Sequence, residues 1–155
     1  MLSKMIDIAT QAHAGQKDRA GADYILHPLS VMDRLKAKHI DDEEILCIAV
    51  GHDLFEDTSV TPEALREAGF SERVIEGISK LTKRPGLTRK AYKSAVFSSS
   101  DSREVKMADL EDNMDLSRLP EVTDRDLRRN QNYDNFHDEI LIHHLLKAPG
   151  PSAGP

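Results

Sequence analysis

Apolar residues along the chain recur mostly at helical spacing, and strand-like alternation is scarce. Met5, Ile8, Ala9 and Ala12 form a first stripe, with Gly15 following in C-cap position. Pro28 suits the first turn of a second helix through Leu29, Val31, Met32 and Leu35. A third runs from about Asp42 to Glu56. Thr61-Pro62 reads as a cap followed by an N-terminal proline, opening a short helix that stops near Gly69. Ser71 can cap another through Val74, Ile75, Ile78 and Leu81. The Pro-Gly pair makes "KRPGLTR" (83–89) a loop, and part of 88–97 is helical. After "SSSDS" (98–102), the spacing of Asp101 and Glu104 fits a capping box for a helix through Val105, Met107 and Ala108. A last helix spans Thr123 to Lys147, with Leu127, Tyr133, Phe136, Ile140, Leu141 and Leu145 as its apolar positions. The pattern predicts an all-α domain over 1–147, with about seven or eight helices. "APGPSAGP" (148–155) reads as a flexible tail.

At 155 residues the chain fits one domain with a real core. Its net charge of −6 argues against a protein that grips nucleic acid over a broad surface. A small anionic ligand needs only a local cationic pocket and stays open. The single cysteine, Cys47, lies in an apolar run and reads as a buried, inert thiol. Neither a signal core nor a membrane span is visible, so a soluble, cytoplasmic protein is expected. The oligomeric state is not legible.

One stretch breaks the pattern. "GHDLFED" (51–57) places His52, Asp53, Glu56 and Asp57 directly after the apolar run Ile45 to Val50. Charge next to a core needs a partner, and a metal ion is one that would serve. On a helix His52 and Glu56 lie one turn apart, as do Asp53 and Asp57. His27, before Pro28, and Asp109, in "KMADLEDNM" (106–114), can complete the set. Two imidazoles and two carboxylates, from His27, His52, Asp53 and Asp109, suit manganese, iron or zinc better than magnesium. Spacing leaves bland readings open: a solvated His-Asp pair, a hydrogen-bonded core histidine at 27, and Asp109 and Asn113 as caps or ion-pair members.

The blocks "AHAGQKDRAGADYILHPLSV" (12–31), "GHDLFEDTSVTPEAL" (51–65), "GISKLTKR" (77–84) and "VKMADLEDNM" (105–114) together resemble the HD-domain metal-dependent phosphohydrolases. Within these the chain is most similar to the hydrolase domain of RelA/SpoT-type proteins and to small stand-alone alarmone hydrolases. The resemblance implies a compact multi-helix fold around one metal site, bound by His27, His52, Asp53 and Asp109 and commonly filled by Mn2+. It implies that Glu56 and Asp57 position or activate the attacking water. It assigns Lys106 and Asn113 to the ligand, with Arg19, Lys80 and Lys83 as the next phosphate contacts or else ordinary exposed cations. Tyr24 either lines the nucleoside pocket or packs, and His13 is expected to tie the first helix to the following loop. The implied reaction removes the 3′-pyrophosphate of (p)ppGpp, giving GDP or GTP and pyrophosphate. The length, with no room for a synthetase domain, implies a hydrolase-only, free-standing member that acts on a small nucleotide.

The specificity residues depart from the family pattern. Asp18 stands where a base is expected, Asp23 replaces a proline, Asp112 a histidine and Asp115 an arginine. A carboxylate ~4 Å from a phosphate at an effective dielectric near 20 would disfavour binding by several kcal/mol. Either Asp18 and Asp115 point away from the ligand, or the substrate is a different phosphorylated nucleotide.

Overall fold

Capping side chains account for where many of the helices begin. In the computed structural model, which describes residues 1–147, Asp42 accepts hydrogen bonds from the backbone of Glu44 and Ile45 and starts a helix there. Thr61, Ser71, Thr88 and Ser99 do the same for Ala64, Val74, Ala91 and Ser102. Each cap satisfies an amide that the helix itself cannot. The described residues form nine helices: α1 (Leu2–Ala12), α2 (Leu26–Ala37), α3 (Glu43–Gly51), α4 (Leu54–Asp57), α5 (Pro62–Glu67), α6 (Glu72–Lys80), α7 (Arg89–Phe97), α8 (Ser100–Asn113) and α9 (Asp124–Lys147). Among them there is no strand, only an isolated bridge between Lys17 and Asp23. The fold is all-α, as the hydrophobic spacing implies. The tail expected over 148–155 lies outside the described residues.

Three boundaries differ from the sequence pattern. The helix expected over Asp42 to Glu56 is broken at His52 and Asp53 into α3 and the short α4. Helix α2 starts at Leu26, two residues before Pro28, which still lies in the first turn where its missing N–H costs nothing. Ser99, not Asp101, caps α8; Asp101 is instead drawn to Arg73, whose guanidinium donates to it at 2.8 and 3.0 Å.

Helix α3 is the centre of the molecule. Leu46 to Gly51 are all buried, so this helix is apolar around its circumference and must be enclosed. It packs against α1, α2, α6 and α8, while α9 lies across α7 and α8. The buried side chains Met5, Leu35, Ile48, Ile78, Val96 and Leu110 belong to one contiguous core. Close approach at α3 and α6 depends on Gly77. A methyl group there would come within 2.4 Å of Ile48 Cδ1 and 2.8 Å of its Cγ1. Gly77→Ala is therefore expected to lower stability by about 1–3 kcal/mol, read as a reduced melting temperature.

Helix α9 buries less than its sequence suggests. Phe136 and Ile140 are in the core, but Leu127, Leu141 and Leu145 are exposed. No helix among the described residues is long and apolar enough to cross a membrane.

Candidate metal centre

The enclosed apolar helix α3 delivers polar groups to the core at its C-terminal end. His52 is still helical there, but Asp53 adopts φ −102°, ψ 0°, in the sparsely populated bridge region. The break aims His52 and Asp53 at the same place from two different backbone directions. From the first turn of α2 comes His27, and from the middle of α8 comes Asp109. His27 Nε2 lies 2.8 Å from Asp109 Oδ1, and His52 Nε2 lies 3.3 Å from the same oxygen. Asp53 Oδ2 is 3.1 Å from His52 Nε2. One donor atom each from His27, His52 and Asp109 falls within 4.8 Å of the others. The structure thus brings together the four side chains of the expected ligand set, from three distant segments.

The donor atoms fit a divalent cation. Bonds of about 2.1 Å at right angles leave neighbouring ligand atoms about 3 Å apart, as these are. The ring nitrogens are also correctly prepared. His52 Nδ1 donates to the carbonyl of Ala49 at 2.6 Å, which leaves a lone pair on Nε2. That Nε2 is buried without a hydrogen-bond partner, a costly state for a polar atom unless a cation receives it. His27 Nδ1 faces Asp112 Oδ2 at 2.7 Å, so its Nε2 is likewise presented to the cluster.

Protonation equilibria show the same demand for positive charge. Burial disfavours the imidazolium of His27, yet hydrogen bonds to Asp109 and Asp112 outweigh it and push the pKa up to about 9. His52 is buried too, and the charges of Asp53 and Asp109 lift its pKa well above the usual histidine value. Against the opposing effect of burial, His52 holds Asp53 down to about 2, and Lys106 followed by His52 holds Asp109 well below the carboxylate range. Two buried carboxylates that claim two imidazolium protons form a site in which one divalent ion would replace both.

Glu56 and Asp57 stand beside this cluster on α4. With Asp53 they place one carboxylate oxygen each within 4.8 Å of one another. Glu56 Oε1 accepts from the backbone N–H of Lys83 at 2.7 Å, which pins one oxygen and leaves the other available. Partial burial of Asp57, then the charges of Asp53 and Glu56, raise its pKa above the ordinary aspartate value.

The expected ligand contacts divide. Tyr24 donates its hydroxyl to Asp53 Oδ2 at 2.5 Å, and burial followed by the Asp53 charge keeps that phenol protonated. Lys106 donates to Asp109 Oδ2 at 2.8 Å, and Asn113 to Asp109 Oδ1 at 3.3 Å. These three support metal-site carboxylates directly. Lys83, together with Glu56, lines the small cavity of about 150 Å³ over the cluster. Arg19 lines a neighbouring cavity of about 270 Å³ but is already bonded to Asp126 at 2.6 Å. Lys80 is not brought to the site: it pairs with Glu76 at 3.4 Å and lines a separate depression with Arg73 and Asp101. His13 has the expected tie, from Nδ1 to Gln16 Oε1 at 2.9 Å.

Three features were not legible in the sequence. Asp112, in the sequence only a departure from the family pattern, is 2% exposed and contacts His27 of the cluster. Asp18 and Asp115 are occupied locally. Asp18 Oδ1 accepts from the backbone of Ala20 and Ala22, both at 2.9 Å, and Asp115 accepts from Ser117 N at 3.0 Å. Lastly, a cavity of about 530 Å³ adjoins the cluster through Lys83, Tyr92, Lys106 and Tyr133. Its wall also carries Arg89, Lys93, Arg129 and Phe136, and no carboxylate. Lys93, Lys106 and Arg129 already answer Glu139, Asp109 and Asp126, leaving Lys83 and Arg89 without an acidic partner among the described residues. The spacing of Arg129 and Tyr133, one helical turn apart, was the available signal for this wall.

No protein-family model matches the chain. It is 32% identical over 119 residues to a guanosine-3′,5′-bis(diphosphate) 3′-pyrophosphohydrolase of Aquifex aeolicus (strain VF5), a match covering 74% of this chain and 17% of that protein. With the enzyme of the same name from Haemophilus influenzae it shares 40% identity over 85 residues, 53% of this chain and 12% of the relative. A GTP pyrophosphokinase rsh of Brucella ovis is 35% identical over 96 residues, 61% of this chain and 13% of that one. The chain therefore spans 17% or less of the length of these relatives. Among solved structures, a metazoan ortholog of SpoT that hydrolyses ppGpp and acts in starvation responses superimposes with a TM-score of 0.72. That likeness covers 92% of this chain and 84% of the other at 24% identity, and speaks for the fold alone. Over its matched segments the chain is thus similar to part of these 3′-pyrophosphohydrolases, and its fold is that of the metazoan SpoT ortholog.

Proposed function

We propose that the chain is a metal-dependent phosphohydrolase that removes the 3′-pyrophosphate of (p)ppGpp, yielding GDP or GTP and pyrophosphate. The relatives from Aquifex aeolicus and Haemophilus influenzae that carry this activity in their names support the reading for the matched segments. The observation that carries it is the juxtaposition of the His27, His52 and Asp109 cluster, with Asp53 against His52, a carboxylate pair and a cavity walled by cations. His27, His52, Asp53 and Asp109 would hold the ion, for which manganese, iron and zinc all suit the donor set. When bound, such an ion lowers the pKa of water and offsets charge on a phosphoryl oxygen.

The chain's own groups do the rest. Glu56, pinned through Oε1, has Oε2 free to take a proton from the attacking water. Asp57 shares that work or orients the water. Lys83 and Arg89 receive phosphate oxygens, and the aromatic faces of Tyr133 and Phe136 complete a wall for an anionic ligand. Asp18 and Asp115 line the neighbouring cavity of Arg19 and not the cationic one, so they leave Lys83 and Arg89 open to such a ligand. A small nucleotide is the partner this site accepts, and a cytoplasmic enzyme with one buried thiol is consistent with it.

The test is a panel of nucleotides with Mn2+, scored separately for released phosphate and pyrophosphate. Pyrophosphate from 3′-pyrophosphorylated guanosine, lost on chelation, is the expected result. Release of phosphate from another nucleotide, with the guanosine compound inert, would overturn the substrate and keep the chemistry.

A further inference from the structure

We propose that Asp112 is a positioning residue that selects the metal-binding tautomer of His27, an inference that rests on the metal-dependent reading above. His27 lies between two acids of α8. Asp109 and Asp112, three residues apart on one face of that helix, approach its two ring nitrogens from opposite sides, at 2.8 Å from Nε2 and 2.7 Å from Nδ1. A neutral imidazole has a single N–H, so only one of these acids can receive it. If the proton sits on Nδ1 and goes to Asp112, the Nε2 lone pair is free for a cation. If it sits on Nε2 and goes to Asp109, the histidine is no longer a ligand.

The surroundings of Asp112 hold it as a permanent acceptor. Its Oδ1 accepts from Ser30 Oγ at 2.6 Å and from Arg34 Nε at 3.1 Å. Its Oδ2 accepts from His27 Nδ1 and from Arg118 at 3.4 Å. His27, Ser30 and Arg34 follow one another along a single face of α2, so this helix offers three partners to one carboxylate. Every partner of Asp112 other than His27 is an obligate donor or is placed as one, and the carboxylate is buried. It can therefore act only as an acceptor; Asp109, bonded by Lys106 and Asn113, is one as well, but a cation held between Asp109 and Nε2 would leave Nδ1 as the one nitrogen to carry the proton and Asp112 to accept it. Such an acceptor behind a metal-binding histidine fixes the ring and raises its basicity.

Asp112→Asn tests this. Ser30 and Arg34 require an acceptor at the Oδ1 position, so the carbonyl of the new amide must settle there. Its NH2 group then faces His27 Nδ1 as a donor, and the ring proton is forced onto Nε2. Titration calorimetry with Mn2+ alone should show affinity falling 10- to 100-fold while helical circular dichroism is kept. Arg34→Gln, which removes one anchor of Oδ1 but leaves the His27 contact, should keep its Mn2+ affinity. Unchanged affinity in Asp112→Asn, or equal losses in both variants, would show a mere staple between α2 and α8 and overturn the proposal. A further measurement needs no variant. In the wild-type protein loaded with Zn2+, 15N spectra of His27 should show a protonated Nδ1 and an unprotonated Nε2; the reverse pattern also overturns it. No nucleotide enters these experiments. A protein that binds Mn2+ in this way yet leaves (p)ppGpp intact would sink the proposed reaction and leave the role of Asp112 standing.

Discussion

Asp109→Asn is expected to abolish hydrolysis and to weaken Mn2+ binding by at least roughly 100-fold, about 2.7 kcal/mol. The substitution changes almost nothing in shape and everything in polarity. Lys106 is nearly enclosed and needs an acceptor at the Oδ2 position, where it now lies 2.8 Å away. The carbonyl of the new amide must take that place, because an NH2 group facing a buried ammonium would leave both donors unpaired. The NH2 group is then directed at the Oδ1 position, within reach of His27 Nε2 and His52 Nε2. Donor hydrogens would occupy the point where two lone pairs and a carboxylate oxygen now converge. Calorimetry with Mn2+, pyrophosphate release and circular dichroism would together read the result. A folded variant that binds Mn2+ as tightly as the wild type would end the four-donor reading of the site.

Helical character and most of the caps were open to inspection in the sequence because each depends on local spacing; the set of His27, His52, Asp53 and Asp109, drawn from distant segments, could only be suggested by spacing and by the family resemblance. Thr61 and Ser71 cap as their positions suggest, since the reach of a hydroxyl to an amide three residues on is fixed by the backbone. The break between α3 and α4 was hidden for the converse reason. Hydrophobic period averages over a window, and a single residue in the bridge region between two helical stretches leaves that average intact. The break matters to the site, since it is what turns Asp53 toward His52.

Other features depend on elements far apart in the chain. Asp112 looks like any helix acid until His27, 85 residues away, is packed against it. Lys83, Arg89, Lys106 and Arg129 are scattered over a loop and three helices, and only the packing of α7, α8 and α9 turns them into one wall. Asp18 and Asp115 carry the opposite lesson. Read as charges they oppose an anionic ligand, but each caps its own turn and lines the cavity of Arg19, not the cationic one. Lys80 likewise had a suitable charge and lay in a matched block, yet it faces a different side of α6 from the cluster.

Glu56→Gln should separate metal binding from turnover. The variant is expected to keep its Mn2+ affinity, since Glu56 gathers with Asp53 and Asp57 and not with His27, His52 and Asp109, and to lose turnover by roughly 10²- to 10⁴-fold. The direction follows from the hydrogen bond at Oε1. Lys83 N–H donates to that oxygen at 2.7 Å, so the carbonyl of the glutamine is held there. Its NH2 group must then occupy the position of Oε2, the oxygen that this bond leaves free. A group that can only donate stands where a proton has to be accepted, and the attacking water loses its base. Glu56→Asp keeps the carboxylate but shortens the reach by one methylene, and should retain intermediate activity. If the glutamine variant instead turns over within tenfold of the wild type, the base is Asp57. Its pKa is already raised by desolvation and by the charges of Asp53 and Glu56. In that case Asp57→Asn should show the large loss, and Glu56 would be left with the task of holding the loop at Lys83.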